Sequence, residues 1–261
     1  PVLMVARNIS AVPLRMVERA IQRSGRGSFS DPRLTDMAKA IESRDAAALA
    51  ALAERGGVDW SARDRKGRTI FGIAVEEAGL ALHDDQQVAL LRILVDAGAR
   101  YQDDALSEKT RIFPDLLDDT GDQHLPLLEV LLAAGANPNA TEPNDHRPVL
   151  LHYNMTVKKA KLLLAHGADI TGARDTRDDR PGWDALMNAT YTRNWPLAIF
   201  YLEQGFDPRF KAADGKTVRD VLQDVKNEER GAGGGAFAGE YRRFTDALDA
   251  RLKSTAATPH E

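Results

Sequence analysis

The sequence contains no cysteine, which removes disulfides, thiolate nucleophiles and cysteine-ligated zinc together. Aromatic residues are scarce at 6%, against 43% hydrophobic residues overall, so Ala and Leu carry most of the apolar content. That is the usage of packed helices, whereas sandwiches and barrels draw on β-branched and aromatic side chains. No run of 18 apolar residues occurs, so no segment reads as a membrane-spanning helix. An excess of either charge is also missing. Thirty-five Lys and Arg stand against 39 Asp and Glu, a formal charge of −4, and both signs are mixed along the chain. A dedicated nucleic-acid binder needs a basic surface, and this balance argues against one. The six histidines are scattered without an H-E-x-x-H motif, and acidic pairs such as Asp84-Asp85 and Asp178-Asp179 lack calcium-loop spacing. No metal, no cofactor and no enzymatic centre is expected, and the fold class is expected to be all-α.

What is present is a repeat. A leucine-rich helix closing on a glycine turn recurs as LAALAERGGVD (Leu49 to Asp59), LLRILVDAGARY (Leu90 to Tyr101) and LLEVLLAAGANPN (Leu127 to Asn139). It returns as KLLLAHGADI (Lys161 to Ile170) and AIFYLEQGFDP (Ala198 to Pro208). The turn glycines Gly57, Gly98, Gly135, Gly167 and Gly205 lie 41, 37, 32 and 38 residues apart, one period with insertions. Glycine follows each helix where a left-handed residue would end it. A second, shorter helix precedes each of these, clearest at DRKGRTIFGIA (Asp64 to Ala74) and GWDALMNA (Gly182 to Ala189). The polar, turn-rich stretches between them fit short hairpins. One such unit of about 33 residues loses on the order of 50 kcal/mol of conformational entropy and needs roughly 2,000 Å² of apolar burial to offset it. A single helix pair cannot bury that much, so neighbouring units must stack.

The pattern resembles the ankyrin repeat family. The matching residues are D-x-x-G-x-T at Asp64 to Thr69, A-L-M-x-A at Ala185 to Ala189, and Gly-Ala-Asp or Gly-Ala-Asn at Gly167 and Gly135. His146 to Tyr153 keeps only the spacing of the first-helix signature, and Thr110 to Leu117 carries Pro114 inside the expected helix. The resemblance implies an ankyrin-type helix-turn-helix solenoid of about six repeats with short hairpin loops. The expected organisation is an N-terminal helical segment over 1–30, the solenoid over 31–225, a glycine-rich connector over 226–239, and a C-terminal capping helix and tail over 240–261. Tyr241, Phe244, Leu248 and Leu252 fall on one helical face of that cap. The glycine run Gly231 to Gly235 lacks the strand and the Lys-Ser/Thr of a phosphate loop and reads as part of the connector.

In ankyrin-type stacks the hairpin tips and first helices line a concave binding face. Carried over residue by residue, the resemblance implies partner contacts at Arg63, Arg65, Lys66, Arg68, Glu76 and Glu77 in the second repeat and at Arg147, Met155 and Thr156 in the fourth. The fifth contributes Arg180, Trp183, Tyr191 and Thr192, and the last Lys216. Arg, Trp and Tyr are the residues of interaction hot spots. A finger carrying Arg174, Asp175, Arg177, Asp178, Asp179 and Arg180 is longer than the others. The expected role is a protein-interaction scaffold. A narrower version is an inhibitor or immunity-like protein that masks one enzyme or toxin. A third reading is the extramembrane part of a tethered protein, because the chain starts at Pro1, and Pro1 to Ala6 is apolar and followed by Arg7, Arg15, Arg19, Arg23 and Arg26. The compartment stays open between cytoplasm and periplasm, with membrane contact only through an anchor upstream.

Overall fold

A computed structural model describes residues 29–80, 85–102, 121–142, 146–232 and 238–254. The N-terminal segment over 1–28 and the first helix expected at Thr110 to Leu117 lie outside the described residues. The chain divides into two units, Pro1–Arg111 and Ile112–Glu261. Among the described residues all regular structure is helical, apart from an isolated bridge between Thr141 and Pro148.

The first unit holds two helix pairs, α1 (Pro32–Ser43) with α2 (Ala46–Glu54) and α3 (Ile70–Leu80) with α4 (Asp85–Asp96). Helix α1 starts where expected: the Asp31 carboxylate accepts the Arg33 N–H at 2.9 Å and Pro32 takes the first helical position. Its Leu34, Met37, Ala38 and Ile41 recur at helical spacing and are buried. The Arg33 guanidinium reaches back to the carbonyls of Gly56 and Gly57 at 2.9 and 2.8 Å, tying the start of the pair to its end. Helices α1 and α3 pack side by side, as do α2 and α4, giving an inner and an outer layer. Ile70, Phe71, Ile73, Ala74 and Val75 of α3 are all at most 1% exposed, so this inner helix is covered on every side by its neighbours.

The second unit continues the same plan. Its outer layer is α5 (Leu125–Ala133), α6 (Val157–Ala165), α8 (Trp195–Glu203) and α10 (Ala238–Ser254). Its inner layer is a 3₁₀ turn (Val149–Leu151), α7 (Ala185–Tyr191) and α9 (Val218–Ala232). Helix α7 packs on α8, on α9 and on the 3₁₀ turn, and α8 packs on α6 and α10. The last inner helix runs on to Ala232, so residues assigned to a connector from 226 begin as helix. Helix α10 presents the face read from the sequence: Phe244 stacks on Trp195 with ring centres 5.5 Å apart, Tyr241 meets Trp195 edge-on, and Leu248 is buried. Both units have the ankyrin-type organisation expected from the repeat.

The Gly-Ala-Asp/Asn signature has a hydrogen-bond explanation. After α5, Ala136 N–H donates to Leu131 and Gly135 N–H to Leu132, the paired bonds of a Schellman turn. The same pair recurs after α4 and α8. Two residues beyond the glycine, the carboxylate or amide of Asp59, Asn137, Asp169 and Asp207 accepts the N–H two residues further on, at 2.7–2.9 Å. The helix is thereby stopped and the chain turned back toward the next finger.

Gly135 has a φ of 99°, and a methyl group there would meet open space. Gly135→Ala is therefore expected to cost about 1–2 kcal/mol through backbone strain alone. Urea unfolding followed by circular dichroism checks this, and Gly135→Asn should recover part of the loss.

Candidate functional site

Among the described residues the fingers are hairpins closed by main-chain bonds. In the first unit Asp64 N–H donates to the Arg68 carbonyl at 2.8 Å, and the Asp64 carboxylate accepts the N–H groups of Lys66 and Arg68. The buried Arg68 guanidinium binds Asp64 Oδ2 at 2.6 Å and Glu76 Oε2 at 2.7 Å. Burial works to raise the Asp64 carboxyl, and the Arg68 side chain and the facing N–H groups outweigh it, holding the acid below its ordinary value. Thr69 Oγ1 then accepts the Gly72 N–H and starts α3. The D-x-x-G-x-T pattern is thus a self-contained finger followed by a helix cap.

Equivalent hairpins close between Glu142 and Arg147, Asp175 and Trp183, and Ala212 and Lys216. The fifth finger spans more residues than the other described ones, and it is fastened to its neighbour. Pro181 accepts the Ala213 N–H at 3.1 Å, and the buried Trp183 indole donates to Asp214 at 2.8 Å. The backbones approach so closely that a methyl on Gly182 would lie 3.2 Å from Ala213 N. Within the finger, burial raises the Asp175 carboxyl, but the Arg177 guanidinium and N–H bound to it hold it below its ordinary value. Arg180 lies over the Tyr191 ring at 4.0 Å, and Tyr191 meets Trp183 edge-on.

The fourth repeat departs from this regularity. Only a 3₁₀ turn forms where an inner helix is expected, preceded by the left-handed His146, at φ 54°, and by Pro148. Ala185, Asn188 and Ala189 of α7 are nonetheless buried, and Thr192, which caps the helix, is exposed. A small cleft, with room for about one water molecule, lies between the two repeats. Arg147, His152, Tyr153, Arg177 and Arg180 line its sides, and Leu150, Leu151, Met155, Leu197 and Tyr201 complete its lining. Tyr153 is the exposed large hydrophobic residue among those described, at 59%, and stacks on His152.

The structure divides the residues carried over from the resemblance. Arg63, Arg65, Lys66 and Thr192 are exposed, and Glu76, Arg180, Tyr191 and Lys216 are half-buried. Arg68, Glu77, Arg147, Met155 and Trp183 are buried and unavailable for a broad contact face. Arg68 and Trp183 brace fingers by the bonds above. Thr156 is half-buried and acts as a helix cap, accepting the Lys159 N–H and donating to Asp122. Arg147, Met155, Arg180 and Thr192 come together in the cleft, whereas the second-repeat residues belong to the other unit. His152, Tyr153, Arg177 and Asn188 join the cleft without having been singled out as contacts, although the defective signature at His146 to Tyr153 marked the place. Among the described residues no His, Asp and Glu cluster is placed to hold a metal ion, and no helix is long and apolar enough to cross a membrane.

Asp184 caps α7, accepting the Met187 N–H at 2.8 Å, and burial pushes its carboxyl up to about 6. A raised carboxyl favours folding fully below its unfolded value near 4, and that contribution is lost as pH rises to about 6. Asp184→Asn keeps an acceptor for the cap but does not ionise. The stability of this variant relative to wild type should therefore rise between pH 4 and 7, by up to about 3 kcal/mol. Urea unfolding across that range measures it, and a gap constant with pH would contradict the assignment.

No protein-family model matches the chain, and no curated protein matches it in sequence. Among solved structures it is similar to a chain of the complex of the Bd0816 predatory endopeptidase from Bdellovibrio bacteriovorus with immunity protein Bd3460. The identity is 18%, covering 82% of this chain and 97% of that one, with a TM-score of 0.49. It is also similar to the ankyrin repeat domain of Bcl-3, of the IkappaB protein family, at 19% identity. That match covers 76% of this chain and 100% of the other, with a TM-score of 0.41. The ankyrin-like character of the fold rests on the chain's own Schellman turns, hairpin fingers and paired helical layers.

Proposed function

We propose that the protein is an interaction scaffold that binds a protein partner through its fingers and the adjoining inner helices. The observation that supports this most directly is the fastening of the fifth finger to the sixth. The Pro181–Ala213 main-chain bond and the Trp183–Asp214 bond hold Arg180, Tyr191 and Lys216 in fixed positions on a surface that the core does not need. A pre-organised surface loses little conformational entropy on binding, which is the main obstacle for loops. Lys216 lies 5.8 Å from the Trp183 ring and pairs with Asp224, so a cation, an aromatic face and a second cation stand in one row. In the first unit the exposed Arg63, Arg65 and Lys66 form a separate basic finger, with Arg63 bonded to the Gly67 carbonyl.

The test is affinity capture and mass spectrometry from the native source with the full chain as bait. The comparison is an Arg180→Ala, Tyr191→Ala and Lys216→Ala triple variant whose helicity matches wild type. A protein retained by wild type and lost by the variant is the expected outcome. Identical sets of retained proteins would exclude this face. Arg68 and Trp183 are unsuited to the purpose, because replacing either would disturb the finger itself.

A further inference from the structure

We infer that the fifth and sixth fingers open and close as one element, with Asp214 as the latch that couples them and thereby positions the binding face. The inference rests on the scaffold reading above for what the face does, and adds to it a residue that acts without having to meet the partner. The latch joins two donors from different fingers. Asp214 Oδ2 accepts the Trp183 indole N–H at 2.8 Å, and Oδ1 accepts the Lys216 N–H at 2.9 Å. Two donors on two oxygens call for a carboxylate, because an amide in that place offers one acceptor oxygen. Burial works to raise this carboxyl, and the Trp183 and Lys216 N–H groups outweigh it, so the group is held below its ordinary value. It is charged at neutral pH, where hydrogen bonds to it are the stronger for that charge.

Trp183 carries the effect to the surface. Its indole has one N–H, and that N–H goes to Asp214, so the carboxylate fixes the tilt of a ring that is 3% exposed. Three side chains rest on the ring: Tyr191 edge-on with centres 5.7 Å apart, and the Arg180 and Lys216 cations at 5.9 and 5.8 Å. These are the residues assigned above to the partner, and they come from both fingers and from α7. The backbones meet at the same place. The Pro181 carbonyl accepts the Ala213 N–H, and Gly182, which has no Cβ, lets the two chains approach. On the sixth side Lys216 Nζ binds Asp224 of α9 at 2.7 Å, which ties the latch to an inner helix. The long fifth finger thus takes its position from its neighbour as well as from its own closing bonds, and neither finger can swing away while the indole stays on Asp214.

Amide hydrogen exchange on the full chain tests the latch without a partner. In Asp214→Ala, a change in the sixth finger, the closing amides Asp175 and Gly182 of the fifth should exchange about tenfold faster or more, the range of a hydrogen bond to a charged group. In Trp183→Phe, which keeps a ring but loses the N–H, the Ala212 amide that closes the sixth finger should respond in the same way. The double variant should exchange no faster than the faster single one, since both changes remove one bond. Amides of α8 should keep their wild-type rates throughout. Exchange that stays at the wild-type rate in the finger opposite the substitution overturns the coupling. Acceleration that includes α8, or that Asp178→Ala at the exposed tip of the fifth finger reproduces, makes the effect a general loosening and overturns it too. For the positioning role, the probe is a peptide selected by phage display on wild type and lost in the Arg180→Ala, Tyr191→Ala and Lys216→Ala variant. Asp214→Ala should weaken that peptide about tenfold or more at unchanged urea stability of the outer helices. A peptide indifferent to Asp214→Ala overturns the positioning role and leaves the scaffold face standing. A selection that yields no peptide lost in the triple variant overturns that face and the positioning role with it, whatever the exchange of the free chain shows.

Discussion

A short helix whose apolar residues run all the way round cannot be buried by one partner, and every other feature of this molecule follows from that constraint. Ile70, Phe71, Ile73, Ala74 and Val75 are buried, and the helix that carries them packs on the preceding inner helix and on its own outer helix. The hydrophobic term therefore acts between neighbours along the stack, not around one central core. Closing such a stack requires an element with only one apolar face, and α10 meets the requirement with Phe244 and Leu248 turned inward and charged residues outward.

The polar interior is organised to keep the fingers in place. Arg68, buried between Asp64 and Glu76, and Trp183, buried with its indole on Asp214, contribute little to a core in the ordinary sense. They fix the angle at which hairpins leave the helices. Burying the Arg68 charges is offset only because both acids and the backbone N–H groups converge on the same few atoms, and loss of one partner would leave the others stranded in low dielectric. Asp184 shows the opposite balance, a buried carboxylate served by N–H groups but with no guanidinium bonded to it, and its carboxyl is raised instead of lowered.

Much of this was legible in the sequence, because short-range chemistry dictates it. The glycine period marked the helix ends, Asp31-Pro32 marked the first start, and the spacing of Phe244 and Leu248 marked the closing face. Residue roles within the fingers were less legible. Arg68 and Trp183 read as hot-spot residues by type, yet tertiary contacts with Glu76 and Asp214 turn them inward, and those partners lie 8 and 31 residues away. The cleft was invisible as a cleft, since it lies where the fourth repeat forms only a 3₁₀ turn. Only its place was on the page: His146 to Tyr153 kept the spacing of an inner helix without the residues to build one.

The closing bonds of the fingers have an evolutionary consequence. Asp64 to Arg68, Glu142 to Arg147, Asp175 to Trp183 and Ala212 to Lys216 are all joined by main-chain N–H and carbonyl groups, which almost any amino acid supplies. Substitutions at the tips can therefore accumulate without altering the helical layers beneath. Recognition and stability are inherited through different atoms, and a lineage is free to acquire new partners while its scaffold stays under separate selection.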